Sequence, residues 1–252
     1  MKHSDSLNYR IVGDGYPVLF IHGFLESNAM WSGIVPYLRK KIQPILVELP
    51  GHGESTGLHG KPSISNMALA VREVINELGV TKFSIVGHSL GGYVALEMIK
   101  QLENFSEKLL LLNSHPWGDS DQKKDERNRV IKVVEKNKEL FIRTAIPNLY
   151  MKPENNTDDT HSLIEDALKM NGTDIIYSLK AMRDRPNREQ VMRILVERCK
   201  VIQGKHDHMI NAGKMTELTS NFGNEFALIE NAGHMSHHED PKKVIDEINT
   251  FI

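Results

Sequence analysis

The 252-residue chain has a single cysteine, Cys199, so no internal disulfide framework holds it together, and a lone thiol fits a reducing compartment. It has no run approaching the ~20 apolar residues of a membrane span. The opening "MKHSDSLNYR" has no apolar core of the kind a secretory leader needs, so the expected location is cytoplasmic, with no membrane partner. Neither sign of charge dominates. With 31 Lys and Arg against 33 Asp and Glu, the formal charge of -2 gives no basis for a nucleic-acid partner. No internal repeat or low-complexity tract is present. What is there, 40% hydrophobic and 25% charged, suits one large soluble domain with room for an insertion.

Short apolar runs alternate with helical patterns through the first 114 residues. "PVLFIHG" (from Pro17), "QPILVELPG" (from Gln43), "KFSIVGHS" (from Lys82) and "KLLLLNS" (from Lys108) read as strands. They are nearly continuous in apolar residues, as expected where helices cover both faces of a parallel sheet. Met67, Val71, Val74, Ile75 and Leu78 share one helical stripe closed by Gly79, and Leu90, Val94, Met98 and Leu102 share another. This pattern predicts a doubly wound α/β fold with a mostly parallel sheet.

The rhythm breaks after Ser114. From His115 to Arg188 no strand pattern stands out, and a charged helical stretch carries Val130, Val133, Val134 and Phe141 as its apolar stripe. The α/β rhythm returns with "CKVIQGK" (from Cys199), a helical stretch over 211–221 and "EFALIENAG" (from Glu225). Asp240 followed by Pro241 marks the start of a last helix, which carries Val244, Ile245, Ile248 and Ile252 inward. The expected organisation is a core of residues 1–114 and 189–252 with a helical cap inserted at 115–188.

"GHSLGG" places Ser89 between Gly87 and Gly91, straight after a strand and straight before a helix. A glycine-rich turn with an incidental serine is one reading. The other is a nucleophile on a sharp turn, with glycines relieving the crowded backbone and the Leu90 N–H aimed at a developing oxyanion. Three further stretches favour catalysis. "FIHGF" ends an early strand and offers the Phe24 N–H as a second donor; "GKHD" puts Asp207, and "AGHM" puts His234, just beyond late strands. Carboxyl ends of parallel strands gather on one rim, so these distant positions become neighbours.

Taken together, "HGF" at 22–24, "LPGHGES" at 49–55, "GHSLGG" at 87–92, "GKHD" at 204–207 and "AGHMSHHEDP" at 232–241 resemble the α/β-hydrolase superfamily along nearly the whole chain. The resemblance implies Ser89 as nucleophile, His234 as general base and then acid, and Asp207 as the orienting carboxylate. It further implies a helical cap over residues 115–188; no cofactor is expected. Two positions depart from the pattern: Glu48 stands where many relatives have Asp, and the N-terminal stretch is short for a full leading hairpin.

Among the 12 histidines, His206 and His208 flank Asp207, and His237 and His238 follow His234. No helical H-E-x-x-H pair accompanies them, so loop or surface positions are expected rather than a zinc site. His22 and His88 are expected to fix local hydrogen bonds. Asp119 and Asp121 are alternatives to Asp207 as the acid, while Asn113 lacks the charge to hold an imidazolium. Trp31, Trp117, Met151 and Met235 are candidate substrate contacts, with Phe24, Met170 and Met182 beside them. The expected activity is hydrolysis of a small carboxylic ester or thioester through an acyl-enzyme. A cofactor-free perhydrolase or haloperoxidase, a lyase on the same scaffold and a non-catalytic binding protein are the competing readings.

Overall fold

The structure, a computed structural model, describes residues 7–39, 41–102, 105 and 107–252. The first six residues, on which part of the leader reading rests, lie outside it. The strands are β1 (Tyr9–Ile11), β2 (Tyr16–Ile21), β3 (Ile42–Val47), β4 (Ser84–His88), β5 (Leu109–Leu112), β6 (Cys199–Gly204) and β7 (Glu225–Ile229). They form one sheet in the order β1-β3-β2-β4-β5-β6-β7, parallel except for β1. The helices in chain order are α1 (Ile64–Glu77), α2 (Leu90–Gln101), α3 (Asp121–Lys136), α4 (Lys138–Ala145) and α5 (Thr157–Lys169). They continue with α6 (Gly172–Arg183), α7 (Glu189–Leu195), α8 (Ala212–Phe222), α9 (Ser236–Glu239) and α10 (Pro241–Phe251).

Side-chain alternation along the strands builds two cores. One row of registered neighbours, Ile45, Leu19, Ile85, Leu109 and Cys199, faces α1, α2 and α8. The opposite row, Leu46, Phe20, Val86 and Leu110, faces α10 and the 3-10 turn at 28–33. Full burial of each such side chain is worth about 1.5–3 kcal/mol relative to exposure. The six runs read as strands all form strands. The edge strand β1 had no sequence signal, because it is three exposed residues paired antiparallel with β3.

Capping residues set the helix boundaries as the sequence suggests. Asp240 accepts the Lys243 N–H with Pro241 in the first turn of α10, and Asn211 accepts the Lys214 N–H at the start of α8. The stripe expected for the charged helix needs correction. Asn137 ends α3 and caps α4, so Phe141 rides on a separate helix. Ile131 and Val134 face the core, whereas Val133 is 41% exposed. Helices α3 to α6 lie between β5 and α7 in the chain, and their buried residues join the α1–α2 core. Among the described residues no helix is long and apolar enough to cross a membrane.

Candidate active site

One residue separates β4 from α2, and it is Ser89, with φ 47° and ψ -113°. A side chain in that region strains the backbone, so the surroundings must hold it there. The Ser89 N–H donates to the Leu112 carbonyl at 3.0 Å, and Ser114 Oγ donates to the Ser89 carbonyl at 2.7 Å. Glycine is required on both sides. A Cβ on Gly87 would sit 2.7 Å from the Gly91 carbonyl carbon, and one on Gly91 would collide with the Ile21 carbonyl oxygen.

His234 and Asp207 meet this serine from beyond β7 and β6. His234 Nε2 is 2.9 Å from Ser89 Oγ, and His234 Nδ1 is 2.8 Å from Asp207 Oδ2. The carboxylate fixes the proton on Nδ1 and leaves Nε2 to accept from the hydroxyl. Asp207 Oδ2 also accepts from Asn113 Nδ2 and Gln203 Nε2, and Oδ1 accepts the N–H of Met209 and of Ile210. Burial alone would raise its pKa. His234, Asn113 and the Met209 N–H outweigh burial and hold it at about 2. The reciprocal effect governs His234: burial lowers its pKa, but the Asp207 charge outweighs that and leaves it raised.

Asn113, itself at φ 45°, donates to both Asp207 and the Gly233 carbonyl, so it orients the Asp207 carboxylate rather than meeting the His234 ring itself. The other candidate acids lie apart from His234. Asp119 is buried between Arg127 and Arg185, and the Asp121 side chain is fully exposed on α3. Leu90 opens α2, and Phe24 follows β2, so both N–H groups belong to the rim that carries Ser89.

A second buried network lies beneath. Glu26 Oε2 accepts from the Gly23 N–H and lies 2.8 Å from His88 Nδ1, while His88 Nε2 is 3.1 Å from the His234 carbonyl oxygen. Burial would raise the Glu26 pKa, but His88 outweighs it and holds the carboxylate below its usual range. Glu26 carries no sequence motif; its spacing, three residues past Gly23, was the available signal. His237, expected at a loop or surface position, is buried, as is His52 in the turn after β3, and burial pushes both well down, His52 to about 3.

Ser89 and His234 open into a cavity of about 580 Å³. Phe24, Trp117 and Met182 line it. Trp31, Met151 and Met235 do not. Trp31 packs edge-on to Phe20 in the α10-side core, Met235 is buried in the other core, and Met151 spends its N–H on Glu239 beyond the wall. Met170 is likewise a core residue.

A family profile described as alpha/beta hydrolase fold matches residues 16–241. The chain belongs to the α/β-hydrolase family. This α/β hydrolase is similar to the structure of a thermophilic esterase from Thermogutta terrifontis, with 26% identity and a TM-score of 0.89 over 97% of this chain and 92% of that one. It is 23% identical over 270 residues to an uncharacterized protein of Mycobacterium tuberculosis, covering 97% of this chain and 77% of that protein. A monoacylglycerol lipase of Xenopus laevis, abhd6-B, is 23% identical over 286 residues, covering 100% and 82%.

The first departure from the family pattern has a structural account. The longer Glu48 side chain accepts from Asn8 Nδ2 at 2.8 Å and from the Glu54 N–H at 2.7 Å, so it holds the "LPGHGES" loop to the N-terminal segment. The second departure corresponds to β1, a three-residue edge strand. Among the described residues of this α/β hydrolase, no group of three or more His, Cys, Asp or Glu side chains is arranged to hold a metal ion.

Proposed function

We propose that this α/β hydrolase cleaves a small carboxylic ester or thioester through an acyl-enzyme on Ser89. One observation carries the reading: a strained serine at a cavity floor, 2.9 Å from an imidazole that is itself 2.8 Å from a buried carboxylate. In this mechanism His234 takes the Ser89 proton as Oγ attacks the carbonyl carbon. Asp207 holds the ring tautomer and stabilises the imidazolium. The N–H groups of Phe24 and Leu90 receive the oxyanion. His234 then protonates the leaving alcohol or thiol, and a water activated by the same imidazole releases the acid. The esterase and lipase among the similar proteins support the reaction class.

Residues 115–188 act as the cap in this reading. Val130, Phe141, Leu179 and Met182, contributed by α3, α4 and α6, give the cavity an apolar patch for the acyl stem. Each methylene buried there adds about 0.8 kcal/mol of binding. The test is a panel of methyl esters and acyl thioesters of graded acyl length with wild-type enzyme and Ser89→Ala. Turnover confined to wild type supports the reading. Equal turnover by both proteins, or peroxide-dependent halogenation with no ester hydrolysis, contradicts it.

A further inference from the structure

The cavity wall beyond the nucleophile is unbalanced in charge. The stretches after β5 and β6 contribute four cations, Lys123, Arg127, Arg185 and Lys214, against two carboxylates, Asp119 and Glu126. Lys123 and Glu126 pair with each other at the half-exposed rim. Arg127 and Arg185 share the single carboxylate of Asp119, whose side chain is 3% exposed. That leaves one positive charge in excess inside the wall.

Lys214 adds another. Among the described residues it has no acidic partner; its ammonium lies 4.1 Å from the Trp117 ring centre. Trp117 stacks on His115 at 4.9 Å, and Arg185 lies 4.0 Å over the Tyr93 ring. Cations, rings and one shared carboxylate thus form a continuous strip of wall. Two further carboxylates stay charged at the Ser89 end of the cavity, Glu26 against His88 and the Gly23 N–H, and Asp207 against His234; among the described residues neither pairs with a cation of the strip.

His115, between Trp117 and Tyr93, registers the field. Its Nδ1 accepts the Trp117 N–H at 3.2 Å, which places the proton on Nε2, 3.0 Å from the Tyr93 hydroxyl. Burial first, and then Arg185 and Arg127, push its pKa well below the usual value, so it stays neutral and leaves the excess of positive charge unchanged. Arg127 and Arg185, with side chains 11% and 4% exposed, hold their charge in low-dielectric surroundings that favour a bound anion more than water would, and the exposed Lys214 adds a solvent-screened attraction.

Resting on the esterase reading, the geometry points to a substrate whose acyl part ends in a carboxylate: a half-ester or half-thioester of a dicarboxylic acid. The scissile carbonyl lies at Ser89, the methylene stem lies on the apolar patch of α3, α4 and α6, and the distal carboxylate docks between Arg127 and Lys214. Arg185 anchors Asp119 and so keeps Arg127 in place. A monoacid ester would leave the strip facing water alone, and a cationic acyl chain would be repelled.

The test compares the monomethyl esters of succinic through suberic acid with their terminal carboxamides, which match them in size and lack the charge. At one chain length the acid should exceed the amide in kcat/KM by at least about tenfold, equivalent to about 1.4 kcal/mol. Added sodium chloride should shrink that ratio. Lys214→Met and Arg127→Met should each collapse it, whereas Lys214→Arg should keep most of it. Calorimetric binding of the same compounds to Ser89→Ala supplies a readout free of chemistry. Amides bound and cleaved as well as acids at every length would overturn the subsite and leave the esterase reading standing. A preference for the acid that survives both methionine substitutions would also overturn it, by placing the anion elsewhere. Preferential binding of the acids to Ser89→Ala, with no ester turnover by wild type, would keep the subsite and remove the esterase reading. Neither binding nor turnover would remove both.

Discussion

His88 Nε2 lies 3.1 Å from the backbone carbonyl oxygen of His234, so the residue before Ser89 also holds the residue whose ring meets Ser89. Through Nδ1 the same imidazole meets Glu26, which in turn receives the N–H of Gly23 in the loop after β2. One buried carboxylate therefore ties the loop after β2, the Ser89 turn and the His234 backbone together. Replacing Glu26 by Gln keeps the shape and removes the charge. The expected result is a fall in kcat of about 10–100-fold, since small misplacements of reacting groups cost up to about 10²-fold. KM for a short ester should change much less, and a kcat and KM split measures this.

On the proposed mechanism the pH dependence of turnover follows from His234. The ring must be neutral to accept the Ser89 proton, and Asp207 raises its pKa above the ordinary value of about 6.5. Initial rates should therefore give a kcat/KM that climbs with pH through a limb lying above that value. Asp207→Asn should move the limb down and cost about 10²–10⁴-fold in rate.

Asp119 offers a contrast with Asp207. Its loss leaves Arg127 and Arg185 without their shared partner in a nearly dry site, and breaking a buried pair typically costs about 3–5 kcal/mol. Asp119→Asn should lower the unfolding midpoint in urea clearly while leaving the pH limb of turnover at its wild-type position. A displaced limb would mean that Asp119 acts on the base.

Stability should fall in mild acid. His22, His52, His115 and His237 are buried and their pKa values are lowered, with burial the leading cause at each. Unfolding lets them bind protons at about their ordinary pKa of 6.5, so the unfolded chain holds more protons below that pH. Their stabilising effect is complete above about 6.5 and drains as pH falls, by up to about 1.4 kcal/mol per pH unit for each ring that stays neutral when folded. His234, raised, works in the opposite direction. Calorimetry should show the Tm dropping from pH 7.5 to pH 5.5.

Chain-length preference should respond to the wall of α3. Val130 lines the cavity, so Val130→Phe should lower the ratio of octanoate to acetate ester turnover. The same substitution logic at Met170, a core residue, should instead cost stability.

The strand runs and the glycine-flanked serine were legible because each rests on local chemistry: continuous apolar residues for buried strands, and glycine where a Cβ collides with backbone. Asp207 and His234 were legible because the parallel topology brings strand ends together. Other features depend on contacts between segments far apart in the chain. Trp31 reads as a pocket aromatic, yet it packs beneath β2, because the 3-10 turn at 28–33 carries it to the α10 side. Glu26 and His237 carry no motif, since the buried network is defined by partners 62 and 146 residues apart in the chain. Val133 fails as a core position because one residue, about 100° around α3, separates it from Val134, which faces the core.

Covalent labelling of Ser89 tests the central claim most directly. Wild-type protein treated with a fluorophosphonate and digested should give, by mass spectrometry, one adduct on the peptide spanning "GHSLGG", at Ser89. Ser89→Ala, shown by circular dichroism to be folded, should give none, and prior incubation with a substrate ester should slow labelling of the wild type. An adduct on another residue, or equal labelling of folded Ser89→Ala, would contradict the account.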